Sequence, residues 1–75
     1  MKVQIDGVFY AVTEEYCAGV RSLQVRDAGD FEAFVCIDKN TESAHANVDG
    51  VGSDLNFFEV EKMTAEDIAR LVASF

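Results

Sequence analysis

Apolar and polar residues alternate along most of this chain. Val3 and Ile5 stand between polar neighbours, and the alternation resumes after Asp6-Gly7 with Val8, Tyr10 and Val12. A period of two marks a half-buried strand. Asp-Gly between two such runs signals a two-residue type I′ hairpin turn. The turn sets Ile5 opposite Val8 and Val3 opposite Tyr10. Val3, Ile5, Val8, Tyr10 and Val12 then share one face, with Phe9 and Ala11 on the other.

The same pattern continues downstream. Residues 13–19 read as an irregular or bulged strand connection with Gly19 at the bulge; one helical turn capped at Thr13 and ended by Gly19 is the other reading. Leu23 and Val25 alternate with Gln24 and Arg26, and Asp27-Ala28-Gly29-Asp30 is a turn. Phe31, Ala33, Val35 and Ile37 take one face of the next strand; Glu32, Phe34, Cys36 and Asp38 take the other. Lys39-Asn40-Thr41 breaks it. Ala44, Ala46 and Val48 form a further alternating run, Asp49 to Asp54 reads as a loop, and Leu55 to Lys62 as a last strand.

A helix closes the chain. Thr64 is a good N-cap, and Glu66 and Asp67 place negative charge in the first turn, where the helix dipole favours it. Asp67 holds the position at which a capping box normally has Glu or Gln, so the box is imperfect. Met63 and Ile68 have the spacing of a hydrophobic staple. Ile68, Leu71, Val72 and Phe75 follow the i, i+3, i+4, i+7 rule and make one apolar stripe. A helix this short is marginal alone in water, so it packs on the sheet.

Together these elements predict an α+β fold: an antiparallel β-meander of five to six short strands with one C-terminal amphipathic helix packed on it. A small curled barrel plugged by the helix is the other architecture. The 75 residues make a single small α+β domain over 1–75, and an apolar content of 49% suits a globular chain.

Charge changes the functional picture. Fourteen acidic residues against six basic ones give a formal net charge of −8 and a sequence pI near 4.3. Charge of that sign repels nucleic acid and anionic membrane and attracts basic protein surfaces. No apolar run approaches the roughly 20 residues of a membrane span. The N-terminal Met1-Lys2-Val3-Gln4-Ile5-Asp6 lacks a signal-peptide core, so a cytoplasmic location is the expectation.

Candidate chemistry is sparse. Cys17 and Cys36 match no zinc or redox spacing and read as buried thiols. His45, the only histidine, falls between Ala44 and Ala46 on an alternating run and reads as a surface residue. Asp49 to Asp54 lacks the ligand pattern of a calcium loop. Gly50-Val51-Gly52 is too short for a dinucleotide fingerprint. The pairs Glu14–Glu15, Glu59–Glu61 and Glu66–Asp67 read as solvated charge. No catalytic residue, metal ligand or cofactor site is assigned, and the chain reads as non-enzymatic.

The remaining signal is aromatic. Alternation puts Phe34 with Glu32 and Asp38, and puts Phe57 with Glu59 and Glu61, the latter two about 6.7 Å apart along a strand. If the helix covers these phenylalanines, they are core. If it does not, each is an apolar anchor inside an acidic rim, a reasonable docking surface for protein. The expected function is therefore an acidic protein-binding protein, an inhibitor or nucleic-acid mimic that docks on a basic nucleic-acid-binding surface. Small acidic phage proteins that block host defences, anti-CRISPR proteins among them, are similar in size and charge, though in no particular stretch of sequence. The alternative is a structural or accessory module that oligomerises, or joins a larger assembly, through a sheet edge.

Overall fold

Three two-residue turns set the strand register. In the computed structural model, which describes all 75 residues, β1 (Lys2–Ile5) and β2 (Val8–Cys17) meet at Asp6-Gly7, where both residues are left-handed at φ 50° and 81°. Ile5 pairs with Val8 and Val3 with Tyr10, the register the alternation predicts. The ladder gains one more pair at the N-terminus. The Met1 ammonium donates to the Val12 carbonyl and the Val12 N–H donates back to the Met1 carbonyl, both at 2.8 Å.

The second turn corrects the reading of residues 13–19. β2 runs without a bulge to Cys17, and β3 (Val20–Arg26) begins after Ala18-Gly19, at φ 50° and 83°. Pairing is continuous from Ala11–Arg26 to Cys17–Val20. Gly19 serves as a hairpin residue rather than a bulge. The turn is held from the next hairpin: the Lys39 N–H donates to the Gly19 carbonyl at 3.0 Å, and Asn40 Nδ2 donates to the Ala18 carbonyl at 2.8 Å.

β4 (Glu32–Asp38) and β5 (Ser43–Val48) follow as the alternation predicts. The third turn, Asp49-Gly50 at φ 50° and 88°, then makes a hairpin where a loop was expected, leading into β6 (Val51–Leu55). The expected strand from Leu55 to Lys62 is also corrected. Its first residue ends β6, and Phe57–Val60 form a short helix, α1. Asn56 caps it, its side chain accepting the Glu59 N–H at 3.2 Å. Helical geometry turns Phe57 and Val60, three apart, onto the same side, and both are buried. The T-shaped contact between the rings of Phe57 and Phe58 is compatible with this turn.

The C-terminal helix α2 spans Ala65–Ala73. Its capping box is complete despite the shorter acid: Asp67 N–H donates to Thr64 Oγ1 at 3.1 Å, and Thr64 N–H donates to Asp67 Oδ2 at 3.3 Å. Ala65, Ile68, Ala69 and Val72 form the buried face. Leu71 lies half-buried beside it. Phe75 departs from the predicted stripe because the helix has already ended at Ser74, and it is 53% exposed.

The six strands form one antiparallel sheet in sequence order, so β1 and β6 are opposite edges of an open sheet rather than neighbours in a closed barrel. One face carries Val3, Val12, Leu23, Val25, Ala33, Val35, Ile37, Ala44 and Ala46, all buried. Both helices cover that face, α2 against β1 and β2, α1 against β4 and β5. The fold is thus α+β, with a six-stranded meander and two short helices in place of the single helix expected.

One cation ties the two layers together. Arg21, whose side chain is only 12% exposed, pairs through Nε with Glu14, donates through Nη1 to the Met63 carbonyl at 2.8 Å, and lies 5.8 Å from the centre of the Tyr16 ring. It therefore fastens the link between α1 and α2 to the β2–β3 hairpin.

Ile68→Ala should cost about 2–5 kcal/mol, because a fully buried side chain is removed at the helix–sheet contact, and Thr64→Ala should cost about 1 kcal/mol through loss of the cap. Denaturant melts read both, and an unchanged midpoint for Ile68→Ala would contradict the packing. Conversely, Ala18→Gly should stabilise by about 0.5–1 kcal/mol, since relief of the left-handed strain exceeds the added freedom of the unfolded chain. A lowered melting temperature for that variant would mean the turn is not strained.

Candidate protein-binding surface

With both helices on one side, the other face of the sheet is uncovered. The register arranges its side chains in rows. Thr13, Gln24, Phe34, Asn47 and Gly52 stand side by side from β2 to β6, and Glu15, Ser22, Cys36, His45 and Asp54 form the adjacent row. Asp38 lies beyond the second row, between Val20 and Ser43, and Glu32 lies on the other side of Phe34 beside Arg26. Phe34 is near the middle of this surface and 48% exposed; Phe9 stands toward the β1 edge at 60%.

Four carboxylates frame Phe34. Along β4, Glu32 and Asp38 are separated by about 20 Å, and across the sheet Glu15 and Asp54 by about 19 Å, from the rise along a strand and the spacing between strands. Glu32 is partly compensated: Arg26 Nε lies 3.1 Å from its Oε2, and Gln24 Nε2 donates to the same oxygen at 3.2 Å. Asp38 is held in place by backbone, its Oδ1 accepting from the N–H groups of Asn40 at 2.8 Å and Thr41 at 3.4 Å. Glu15 and Asp54 have no ion-pair partner; the three ion pairs of the molecule are Arg21–Glu14, Arg26–Glu32 and Arg70–Glu66. The face therefore presents an aromatic centre, amide neighbours in Gln24 and Asn47, and a negative rim.

The sequence-predicted residues divide into two groups. Glu32, Phe34 and Asp38 do share the open face. Phe57, Glu59 and Glu61 do not join them. Phe57 is 6% exposed and belongs to the core, which corrects its assignment as an exposed anchor. Glu59 and Glu61 belong to the helical layer and lack the two-residue strand spacing expected of them, because the segment is helical. Glu61 lines a groove with Tyr16, Arg21 and Lys39 above Ile37 and Phe57. Two rim residues, Glu15 and Asp54, lie outside the sequence expectation, because 13–19 reads as an irregular or bulged connection and Asp49 to Asp54 as a loop. The signal for both is the pair of two-residue turns, Ala18-Gly19 and Asp49-Gly50, which match Asp6-Gly7 in their left-handed backbone.

Many of the remaining carboxylates have local structural work. Asp27 Oδ1 accepts from the Gly29 and Phe31 N–H groups at 2.8 and 3.2 Å, and Asp49 Oδ1 accepts from the Glu32 N–H at 3.0 Å. Asp6 and Asp49 occupy left-handed turn positions, and Asp67 completes a helix cap. The acidity is spread through turns and caps around the molecule rather than gathered into one ladder.

The other candidate groups sit as follows. Cys17 is exposed, against the expectation of burial, because its side chain points from the end of β2 onto the open face; Cys36 is half-buried. His45 is exposed as expected, with Cys36 and Asp54 as cross-strand neighbours. No group of three His, Cys, Asp or Glu side chains is placed to hold a metal ion. No helix is long and apolar enough to cross a membrane. In comparison with known proteins, the chain matches no protein-family model, no curated protein and no solved structure.

Proposed function

We propose that this protein is a non-enzymatic protein-binding domain whose open sheet face docks on a basic protein surface. The observation that supports this reading most directly is Phe34, a large aromatic side chain left 48% exposed in the middle of an uncovered sheet and framed by carboxylates. An exposed aromatic with few rotatable bonds gains affinity when a partner desolvates it. The negative rim and the net charge of −8 steer a basic partner toward the same face. A partner surface rich in Lys and Arg is commonly one that holds nucleic acid. Occupying it would compete with that nucleic acid, so inhibition is the expected consequence. The carboxylates of the open face are too widely spaced to imitate successive phosphates, so this form of the proposal relies on charge and an anchor rather than a copied backbone.

The test starts from a basic protein captured at low salt from the native host. Phe34→Ala should weaken binding roughly tenfold, mainly through faster dissociation. The double change Glu15→Lys and Asp54→Lys should slow association and flatten its salt dependence, while Glu66→Lys, on the solvent side of α2, should leave both unchanged. Amide shifts on binding should cluster at Gln24, Phe34 and Asn47. Shifts confined to α1 and α2, with Phe34→Ala binding as tightly as the unaltered chain, would overturn the proposal.

A further inference from the structure

The sheet has two open edges, and they differ. In a two-residue hairpin the residues flanking the turn exchange both backbone hydrogen bonds, and the pairs then alternate. Along β6 this makes Val51, Ser53 and Leu55 bond to β5. The N–H and C=O groups of Gly52 and Asp54 point out of the sheet. Along β1, by the same rule, Lys2 and Gln4 point outward. The observed Met1–Val12 exchange at 2.8 Å in both directions confirms the alternation there. Natural edges are blunted by very short strands, charged side chains (lysine above all), proline, bulges or a covering segment. β1 is four residues long and carries Lys2; β6, Val51 to Leu55, has no lysine, proline or bulge, and its one charge is Asp54. It also has apolar surface beside it. Val51 is 67% exposed and Phe75 53%, and they line a shallow groove with Val48.

We infer that the β6 edge pairs with the β6 edge of a second copy of this chain, antiparallel and centred on Ser53. The sequence of the strand is self-complementary in that register. Gly52 stands opposite Asp54 of the second copy, and Asp54 opposite its Gly52, so the two outward-facing pairs form four backbone hydrogen bonds. The only charged side chain of the strand meets a glycine, not its own like. On the helix side Val51 stands opposite Leu55 and Leu55 opposite Val51, and Ser53 meets Ser53. Two-fold pairing of this kind is closed and adds no further copies. The axis is perpendicular to the sheet, so the open faces of both copies lie on the same side. The two Phe34 side chains are then about 24 Å apart, five strand spacings, and the surface becomes bivalent. Each copy carries a net charge of −8, so the association opposes electrostatic repulsion and is strengthened by salt. Docking on a basic partner has the opposite salt dependence.

Sedimentation equilibrium decides the matter. The expected mass rises with concentration from 8.2 kDa toward twice that value and no further, and more readily at high salt. Gly52→Pro removes two of the four inter-edge hydrogen bonds and no bond within the chain, and open space surrounds the position. It should weaken self-association roughly tenfold or more with an unchanged far-ultraviolet spectrum. A second measurement needs no substitution: hydrogen exchange at the Gly52 and Asp54 amides should slow with rising concentration, while that at Lys2 and Gln4 does not. A chain that stays monomeric to about 1 mM, or amides of Gly52 and Asp54 that exchange equally fast at all concentrations, would overturn the inference. So would species beyond the dimer that vanish on Asp54→Lys, since these would mean head-to-tail pairing of β6 with β1 through Lys2.

Discussion

Strand register is the constraint on which the rest of this molecule depends. Side chains alternate across a sheet with a period of two, so a slip of one residue would exchange the buried and open faces of a strand. Asp6-Gly7, Ala18-Gly19 and Asp49-Gly50 prevent that slip by fixing three of the hairpins at two-residue loops with left-handed backbone. The β3–β4 and β4–β5 connections use side chains for the same end, Asp27 and Asp38 each accepting two backbone N–H groups. The core on one side and Phe34 on the other are therefore consequences of the same turns.

The core that results is thin. Fifteen residues are buried, and five of them are alanines small enough to let backbone approach: Ala33, Ala44 and Ala46 on the sheet, and Ala65 and Ala69 on α2. A chain of this size has little surplus stability. That explains why a partly buried ion pair appears at the junction of the layers. Arg21 meets a carboxylate, a carbonyl and an aromatic ring at once. A guanidinium can satisfy three such partners with planar geometry where an ammonium could not. The link between the helices is thereby held without a larger apolar contact.

Most of the sheet was legible because alternation and Asp-Gly turns are local signals. The first hairpin could be read down to individual pairs. The C-terminal helix was legible from Thr64 and its stripe, except where Phe75 outran the helix. Two segments were not. At 13–19, Gly19 reads as a bulge or as the end of one helical turn, whereas it forms a hairpin turn with Ala18 that is held by Lys39 and Asn40, distant in sequence. At 49–62, Gly52 and Ser53 have low strand propensity while Phe57, Phe58 and Val60 have high, so propensity points the wrong way on both sides of Asn56. The cap signal of Asn56 with Glu59 three residues later was present in the sequence and outweighs it. The candidate surface inherited both errors: Phe34 with Glu32 and Asp38 was readable from one strand, whereas Glu15 and Asp54 required the register of the whole sheet.

The acidic character has two origins that composition alone merges. Aspartate is favoured at left-handed and Asx-turn positions because its short side chain reaches nearby backbone N–H groups. A meander built from five connections will accumulate such residues for local reasons. Asp6, Asp27, Asp38 and Asp49 are of this kind. Glu15 and Asp54 are not: they stand within strands on the open face, Glu15 opposite Ser22 and Asp54 opposite His45, with neither an ion pair nor a backbone group to cap. Neutral polar residues would satisfy those positions at least as well for folding, and in a chain already at −8 each further carboxylate adds to self-repulsion. Their presence beside an exposed phenylalanine is thus not a by-product of turn formation.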